Sequence, residues 1–198
     1  MAKFNDYCKE LMDTYPEQFS LETLSQIPKF FKRIQYCSKR LEKVAHGSSR
    51  VVFHFSEDFV IKVAKDNKGL AQNEMEAKIS ENNLSITIPY HSSDKEFKWI
   101  IFKKANETNL EELEKLLTIP LAEINYDMRK MKNSFKETGS CTTSLKTPFA
   151  SDLKLLIEKH NIAIGDIVKP SSWGIYNNEP KLIDFGLTSE IYQAFFKK

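Results

Sequence analysis

The chain has 198 residues, 41% hydrophobic and 28% charged, so it is long enough to bury a core and too apolar for a disordered protein. Its 29 basic and 27 acidic side chains leave a net charge of +2, which argues against nucleic acid as a partner. Cys8, Cys37 and Cys141 are scattered without metal or disulfide spacing. No apolar run approaches a membrane span and no signal-peptide core begins the chain, so we expect a cytoplasmic protein without a membrane partner.

The first 45 residues predict helices, because Phe4, Tyr7 and Leu11 repeat at helical spacing. We predict an N-terminal helical extension over 1–42 and one further domain over 43–198. No residue of the extension carries chemistry that indicates a site, so packing or partner binding is its expected role.

Residues 43–105 predict a small antiparallel sheet lobe, because β-branched and aromatic residues recur in short runs separated by polar turns. A run rich in Glu, Ala and Lys predicts one helix in this lobe. The predicted strands are 51–55, 59–63, 86–88 and 97–102, the polar turns are 56–58 and 92–94, and the predicted helix is 70–82.

Residues 106–198 predict a mainly helical lobe that ends in a hairpin. Asn177-Asn178-Glu179 between two apolar runs is a strong hairpin signal. The chain is therefore expected to be an α+β protein with two lobes. The predicted helices are 109–117, capped by Thr108 or Asn109, then 121–135 and 150–160; the predicted polar loop is 136–147, and the hairpin strands are 173–176 and 180–185.

The segment Ala45-x-Gly47-x-x-Arg50-x-Val52 resembles the glycine-rich phosphate loop of protein kinases, of which it keeps the central glycine. A loop of small residues lets backbone N–H groups approach phosphate oxygens closely. The same residues also fit an ordinary hairpin entry. The resemblance implies nucleotide contacts from Gly47, Ser48, Ser49 and Val52.

Lys62 lies ten residues after Val52, at the position of the kinase lysine that binds nucleotide phosphates. An ammonium group on an apolar strand needs an anion nearby. The resemblance implies a glutamate partner from the following helix, and of Glu74 and Glu76 we favour Glu76. Lys65 is a rival for the role of Lys62, with more polar neighbours.

The last predicted strand of the sheet lobe resembles the strand and hinge that hold an adenine ring. Hinges bind adenine through backbone groups, so side-chain identity carries little information there. The resemblance places the adenine contacts at Phe102, Lys103 and Ala105.

Asp184-Phe185-Gly186 follows Asp166 by 18 residues, across a hairpin. Protein kinases separate their catalytic and metal-binding aspartates in a similar way, so that one carboxylate reaches the acceptor hydroxyl and the other holds Mg²⁺. The resemblance therefore implies that Asp166 and Lys62 are catalytic and that Asp184 binds Mg²⁺ beside ATP.

The catalytic loop departs from the kinase pattern. Gly165-Asp166 stands where His-Arg-Asp is usual, and Ser171 and Ser172 stand where a metal-binding asparagine is usual. The resemblance then implies metal ligands Asp184, Ser171 and Ser172. Lys169 lies one place later than the usual catalytic-loop lysine and is the third expected catalytic residue.

Only twelve residues follow Gly186, too few for an activation segment and its substrate-binding helices. The resemblance covers about 43–190 and implies a two-lobed protein-kinase-like fold with a truncated helical lobe. It looks closest to small serine/threonine kinase-like proteins of bacteria or their phages, and a phage-encoded chain would act in the host cytoplasm.

Four interpretations are compatible with these residues. An ATP–Mg²⁺ phosphotransferase would act on a protein Ser/Thr hydroxyl, with the protein substrate unidentified. The same chemistry on a small molecule is an alternative, because small-molecule kinases also use a Gly-Asp loop and an Ile-Asp-Phe segment. A pseudokinase would bind nucleotide or a partner without transfer. A helical adaptor with a chance Asp-Phe-Gly is the plainest reading.

Overall fold

The computed structural model describes residues 18–197 and shows an α+β fold. The helices are α1 (Leu21–Gln26), α2 (Phe30–Ser38), α3 (Asn67–Ser80), α4 (Leu110–Leu117), α5 (Leu121–Thr138), α6 (Ala150–His160), α7 (Ile164–Ile167) and α8 (Ser189–Phe195). A 3₁₀ turn spans Pro170–Ser172. The strands are β1 (Lys43–His46), β2 (Arg50–His54), β3 (Phe59–Ala64), β4 (Tyr90–Ser93), β5 (Trp99–Lys103), β6 (Trp173–Tyr176) and β7 (Glu179–Leu182).

The five-stranded antiparallel sheet has the order β1-β2-β3-β5-β4. β3 is its central strand, and Lys62 pairs in register with Val52 on one side and Ile100 on the other. Because side chains alternate along a strand, Lys62 points to the opposite face from its neighbours Ile61 and Val63. The alternation thus places an ammonium group on the face that meets the helical lobe.

The N-terminal helices cover the outer face of the sheet. Leu24 of α1 is fully buried in a cluster with Phe53 and Ile61. The Trp99 indole donates a 2.9 Å hydrogen bond to the Ser25 hydroxyl, which anchors α1 to β5. α1 and α2 are therefore structural parts of this core, and the helical prediction for 4–17 lies outside the described residues.

The inner face of the sheet packs on the helical lobe. Ile100 and Phe102 of β5 join one cluster with apolar residues of α4, α5 and α6. The Asn109 side chain caps α4 by accepting the Glu112 amide at 2.9 Å, as one of the two predicted caps. Gly139 and Asn161, both at positive φ, end α5 and α6.

The predicted final hairpin is confirmed. β6 and β7 pair through Tyr176 and Glu179, and Asn177 and Asn178 form the turn at φ 53° and 63°. Asparagine tolerates this left-handed region better than most residues do. The hairpin also meets the end of the sheet lobe, where Asn106 exchanges two backbone hydrogen bonds with Ile175 at 2.8 and 2.9 Å.

One predicted strand is wrong. The apolar run 86–88 lies outside the sheet: Ile86 accepts the Leu182 amide, and Ile88 donates to the Leu182 carbonyl. The edge strand is instead Tyr90–Ser93, which overlaps the predicted polar turn. Ile86 and Ile88 are buried against β7, so their apolar character reflects that packing rather than pairing in the sheet.

The predicted α+β class, with a small antiparallel sheet lobe and a helical lobe, is confirmed. The division at residue 42 stays a prediction. Within residues 18–197, no helix is long and apolar enough to cross a membrane.

Because α1 completes the outer core, Leu24→Ala is expected to lower the free energy of unfolding by about 2–5 kcal/mol, the usual cost of a large-to-small change at a fully buried leucine. Leu116→Ala is the matched control, since Leu116 lies on α4 with 38% of its surface exposed. Urea unfolding of both variants checks this. Equal, small losses would show that α1 does not stabilise the sheet.

Candidate functional site

A cavity of about 690 Å³ lies where the sheet lobe meets the helical lobe. This volume falls in the usual range of small-molecule sites. Twelve of the predicted site residues line it, whereas Glu76 and Ser172 do not. The twelve are Gly47, Ser48, Ser49, Val52, Lys62, Phe102, Lys103, Ala105, Asp166, Lys169, Ser171 and Asp184.

Lys62 is held by a buried carboxylate. Its ammonium nitrogen lies 2.9 and 2.8 Å from the two oxygens of Glu76, which is fully buried. Burial lowers the pKa of Lys62 from its ordinary value, and Glu76 offsets part of that effect. Glu74, the alternative partner, lies on the exposed side of α3. The rival Lys65 is half-buried and donates to the Gly47 carbonyl at 3.0 Å.

Arg50 is a second buried cation, which the sequence analysis did not assign to the site. It stands at the last glycine position of the kinase pattern and is only 6% exposed. Its guanidinium forms ion pairs with Glu76, at 2.8 Å, and with Asp184, and it donates to the Asn73 side chain at 3.3 Å. These anions raise the pKa of Arg50 although burial opposes them.

Asp184 projects into the cavity from the end of the β6–β7 hairpin. The Ser172 carbonyl accepts the Ile183 amide at 2.8 Å and the Asp184 amide at 3.4 Å, which fixes the backbone there. Burial alone would raise the pKa of the Asp184 carboxyl, but Arg50 and Lys62 hold it below its ordinary value. Asp184 is therefore a paired, ionised carboxylate.

Phe185 and Gly186 hold the Asp184 segment in close contact with α3. The Phe185 amide donates to Glu76 at 3.2 Å, and its buried ring packs edge-on against Phe102 with centroids 5.8 Å apart. A Cβ at Gly186 would collide with the Gln72 carbonyl oxygen and lie 2.9 Å from Cγ of Glu76. Only glycine lets the backbone pass α3 this closely.

Asp166 and Lys169 line the cavity from the helical lobe. Asp166 lies in α7, and Lys169 lies in the turn after it. The Trp173 indole donates to the Ile167 carbonyl at 2.7 Å, which ties this loop to β6. Lys169 forms an ion pair with Asp166. Its hydrogen bond to Asp166 raises the pKa of Lys169, and the charge of Asp184 adds to this effect. The charges of Asp166 and Asp184 therefore both raise the pKa of Lys169.

The two predicted serine ligands differ in position. Ser171 is exposed and lines the cavity. Ser172 is 3% exposed and lies outside the cavity lining, because its backbone holds the Asp184 segment. The structure therefore does not place Ser172 where it could bind a ligand in the cavity.

The predicted hinge lies at the apolar end of the cavity. Phe102 is buried there, with the Lys62 nitrogen 4.8 Å from its ring centroid. The amides of Lys104 and Asn106 donate to the carbonyls of Asp58 and Ile175. Between them, the Ala105 amide has no acceptor among residues 18–197.

Two aromatic residues at the last helix also belong to the cavity. Tyr192 of α8 and Phe196 stack with centroids 5.9 Å apart, and both line the cavity. No sequence pattern predicted either residue to lie at the site. Arg50 was detectable in principle, because strand alternation from Val52 puts it on the same face as Lys62.

No protein family and no curated protein matches this chain. Among solved structures, it is similar to APH(2'')-IIa in a ternary complex with streptomycin and ATP, at 16% identity over 85% of this chain and 71% of that chain, with a TM-score of 0.38. It is also similar to ADP-bound aminoglycoside phosphotransferase APH(2'')-Ib, at 16% identity, 79% and 69% coverage and a TM-score of 0.34. The gentamicin complex of APH(2'')-IIa is similar at 16% identity over 85% of this chain and 70% of that chain, with a TM-score of 0.37. A likeness at this level assigns no substrate.

Glu76→Gln is expected to destabilise the protein by about 3–5 kcal/mol, because it leaves Lys62 and Arg50 buried with too little negative charge. Glu74→Gln, two residues away and exposed, is the matched control and should change stability by less than about 0.5 kcal/mol. Thermal and urea unfolding of the two variants measure the difference. Similar effects would contradict the assignment of Glu76 as the partner of Lys62.

Gly186→Ala is expected to lower the melting temperature, because the added methyl group collides with the α3 backbone at Gln72. In Gly165→Ala, the control, the new methyl group meets no atom within 4 Å. Scanning calorimetry of both proteins tests this. A Gly186→Ala protein as stable as the control would show that α3 and the Asp184 segment are not in close contact.

Proposed function

We propose that this protein is a phosphotransferase that moves the terminal phosphoryl group of ATP to a hydroxyl group of a small molecule. The observation that carries this proposal is the lining of one cavity by Lys62, Asp166 and Asp184. These are the three residues that the kinase resemblance assigns to phosphate binding, to the acceptor hydroxyl and to the metal.

The apolar end of the cavity suits an adenine ring. Val52, Val60 and Phe102 line it from the sheet, and Trp173 and Ile183 line it from the helical lobe. The Ala105 amide, which has no acceptor among residues 18–197, provides a donor for a ring nitrogen. A mostly apolar lining with a few placed polar groups is the usual form of a small-molecule site.

The polar end suits the phosphates. The loop Gly47–Ser49 and the ammonium of Lys62 line this end. Ser49 lies 4% exposed, and its hydroxyl donates to the Gln72 side chain, so the loop is tied to α3. Backbone amides and a fixed lysine are the donors that bind triphosphates in kinases.

The transfer step uses Asp166 and Lys169, which line the cavity from the helical lobe. Asp166 accepts the proton of the acceptor hydroxyl as its oxygen bonds to the γ-phosphorus, and the bond from that phosphorus to the bridging oxygen breaks to release ADP. Lys169, beside Asp166, neutralises charge that develops on the transferred group.

The lining of the cavity favours a small acceptor over a protein hydroxyl. Tyr192 and Phe196 line the same cavity as Asp166 and Lys169, so an acceptor bound there can contact aromatic side chains. The Gly165-Asp166 loop also matches the pattern that the sequence analysis attributed to small-molecule kinases. A protein Ser/Thr hydroxyl, the first expectation, remains the alternative acceptor.

The residues present fit the predicted Mg²⁺ poorly. The three expected ligands reduce to Asp184 and Ser171, since Ser172 is buried outside the cavity. Asp184 is already paired with Arg50. Within residues 18–197, no group of three or more His, Cys, Asp or Glu side chains could hold a metal ion. The transfer step above therefore uses only the protein's own cations.

The same pairing supports a second candidate, a pseudokinase that binds nucleotide without transferring phosphate. Asp184 and Asp166 are both paired with cations of the chain, Arg50 and Lys169. If these pairs persist with bound nucleotide, neither carboxylate is available for chemistry. The candidates differ in one measurable quantity, the formation of phosphorylated product.

Asp166→Asn is expected to lower the rate of phosphate transfer at least about 10²-fold, because the amide cannot accept the hydroxyl proton. The affinity for ATP should change little, since Asp166 lies on the acceptor side. Labelled ATP is incubated, with and without MgCl₂, with a set of amino sugars, polyols and nucleosides, and separately with casein. Product is read by mass spectrometry and binding by calorimetry.

Glu123→Gln, an exposed carboxylate-to-amide change on α5, is the control and should keep the full rate. Label on casein alone would contradict the small-molecule acceptor. ATP binding without any product in all mixtures would favour the pseudokinase. No ATP binding would remove both candidates.

A further inference from the structure

Arg50 occupies an unusual place for a charged side chain. It begins β2, where the kinase pattern has a glycine that keeps the loop open above the phosphates. Its side chain is 7% exposed, and it lines the cavity beside Lys62 and Asp184. A buried guanidinium at the phosphate end of a nucleotide cavity needs a functional explanation, because burying a charge is unfavourable without partners.

The charges around Arg50 balance without any added ion. Glu76 and Asp184 supply two negative charges, and Lys62 and Arg50 supply two positive charges, all within one connected network. In the kinase arrangement the carboxylate corresponding to Asp184 is neutralised by Mg²⁺. Here the guanidinium of Arg50 already neutralises it.

The geometry of Arg50 suits phosphate oxygens. Glu76, Asn73 and Asp184 hold the guanidinium in a fixed orientation from three sides. The group has five N–H donors in one plane, and a planar, fixed set of donors binds phosphate well. These contacts use both terminal nitrogens of the guanidinium, and the Arg50 side chain lines the cavity.

We propose that Arg50 takes the place of a metal ion, so that the cavity binds ATP through Arg50 and Lys62 without a divalent cation. This inference rests on the nucleotide site of the proposed function and not on phosphate transfer, so it also applies to the pseudokinase. The poor set of Mg²⁺ ligands agrees with this proposal, because Asp184 pairs with Arg50 and so serves as its anchor rather than as a metal ligand.

The test compares ATP binding by isothermal titration calorimetry in excess EDTA and in excess MgCl₂. The wild-type affinity is expected to agree within about threefold between the two buffers, because the N–H donors of Arg50 and Lys62 are present in both. Arg50→Gln is expected to lose about 10- to 100-fold in affinity in EDTA, the usual effect of removing a charge-assisted hydrogen bond. Arg50→Lys should retain part of this affinity.

Arg129→Gln is the matched control, because Arg129 is exposed on α5 and contacts Asn125 rather than the cavity. It should bind ATP like the wild type in both buffers.

Each outcome decides the inference. Wild-type binding that requires MgCl₂ overturns it and leaves the proposed function intact. Metal-free binding that survives in Arg50→Gln overturns the role of Arg50. No binding in either buffer overturns the inference and the proposed function together. If Arg50→Gln does not fold, Arg50→Lys replaces it, and metal-free affinity equal to that of the wild type in Arg50→Lys overturns the role of the planar guanidinium.

Discussion

The carboxylate of Glu76 is the contact on which the arrangement of the cavity depends. It is fully buried and binds Lys62 from β3, Arg50 from β2 and the amide of Phe185. Three separate parts of the chain therefore meet at one side chain of α3. A buried carboxylate is unstable unless it is well paired, so the strands, the helix and the Asp184 segment must take up their positions together. The positions of Lys62, Arg50 and the Asp184 segment follow from this requirement.

The sequence predicted best those site residues whose positions follow from a local pattern. Strand alternation puts Lys62 on the inner face, and the hairpin signal at Asn177 places Asp184 at the end of β7. The choice between Glu74 and Glu76 was harder, because both lie on α3 and only the rotation of that helix separates them. Packing of buried α3 residues such as Ile79 sets that rotation, and it depends on contacts distant in sequence.

Arg50 and β4 were not predictable in the same way. Strand alternation places Arg50 on the inner face of the sheet, but its burial depends on Asn73 and Asp184, which lie 23 and 134 residues away, and no local pattern predicts those contacts. β4 is a polar edge strand whose pairing with β5 determines its structure. The apolar run at Ile86 misled the prediction because its burial comes from β7 and not from a sheet partner. In each case tertiary contacts override local preference.

The paired hydrogen bonds between Asn106 and Ile175 also determine how this molecule can move. They join the connection between the lobes to the hairpin that carries Asp184, and close packing of Gly174 against Ala105 supports the junction. In two-lobed enzymes, substrate often enters as the lobes swing apart about the connecting segment. Here such a swing would break backbone hydrogen bonds and disturb the backbone beside the apolar end of the cavity. Ligand exchange would then be controlled by small displacements of side chains at the cavity mouth, with the two lobes moving as one body.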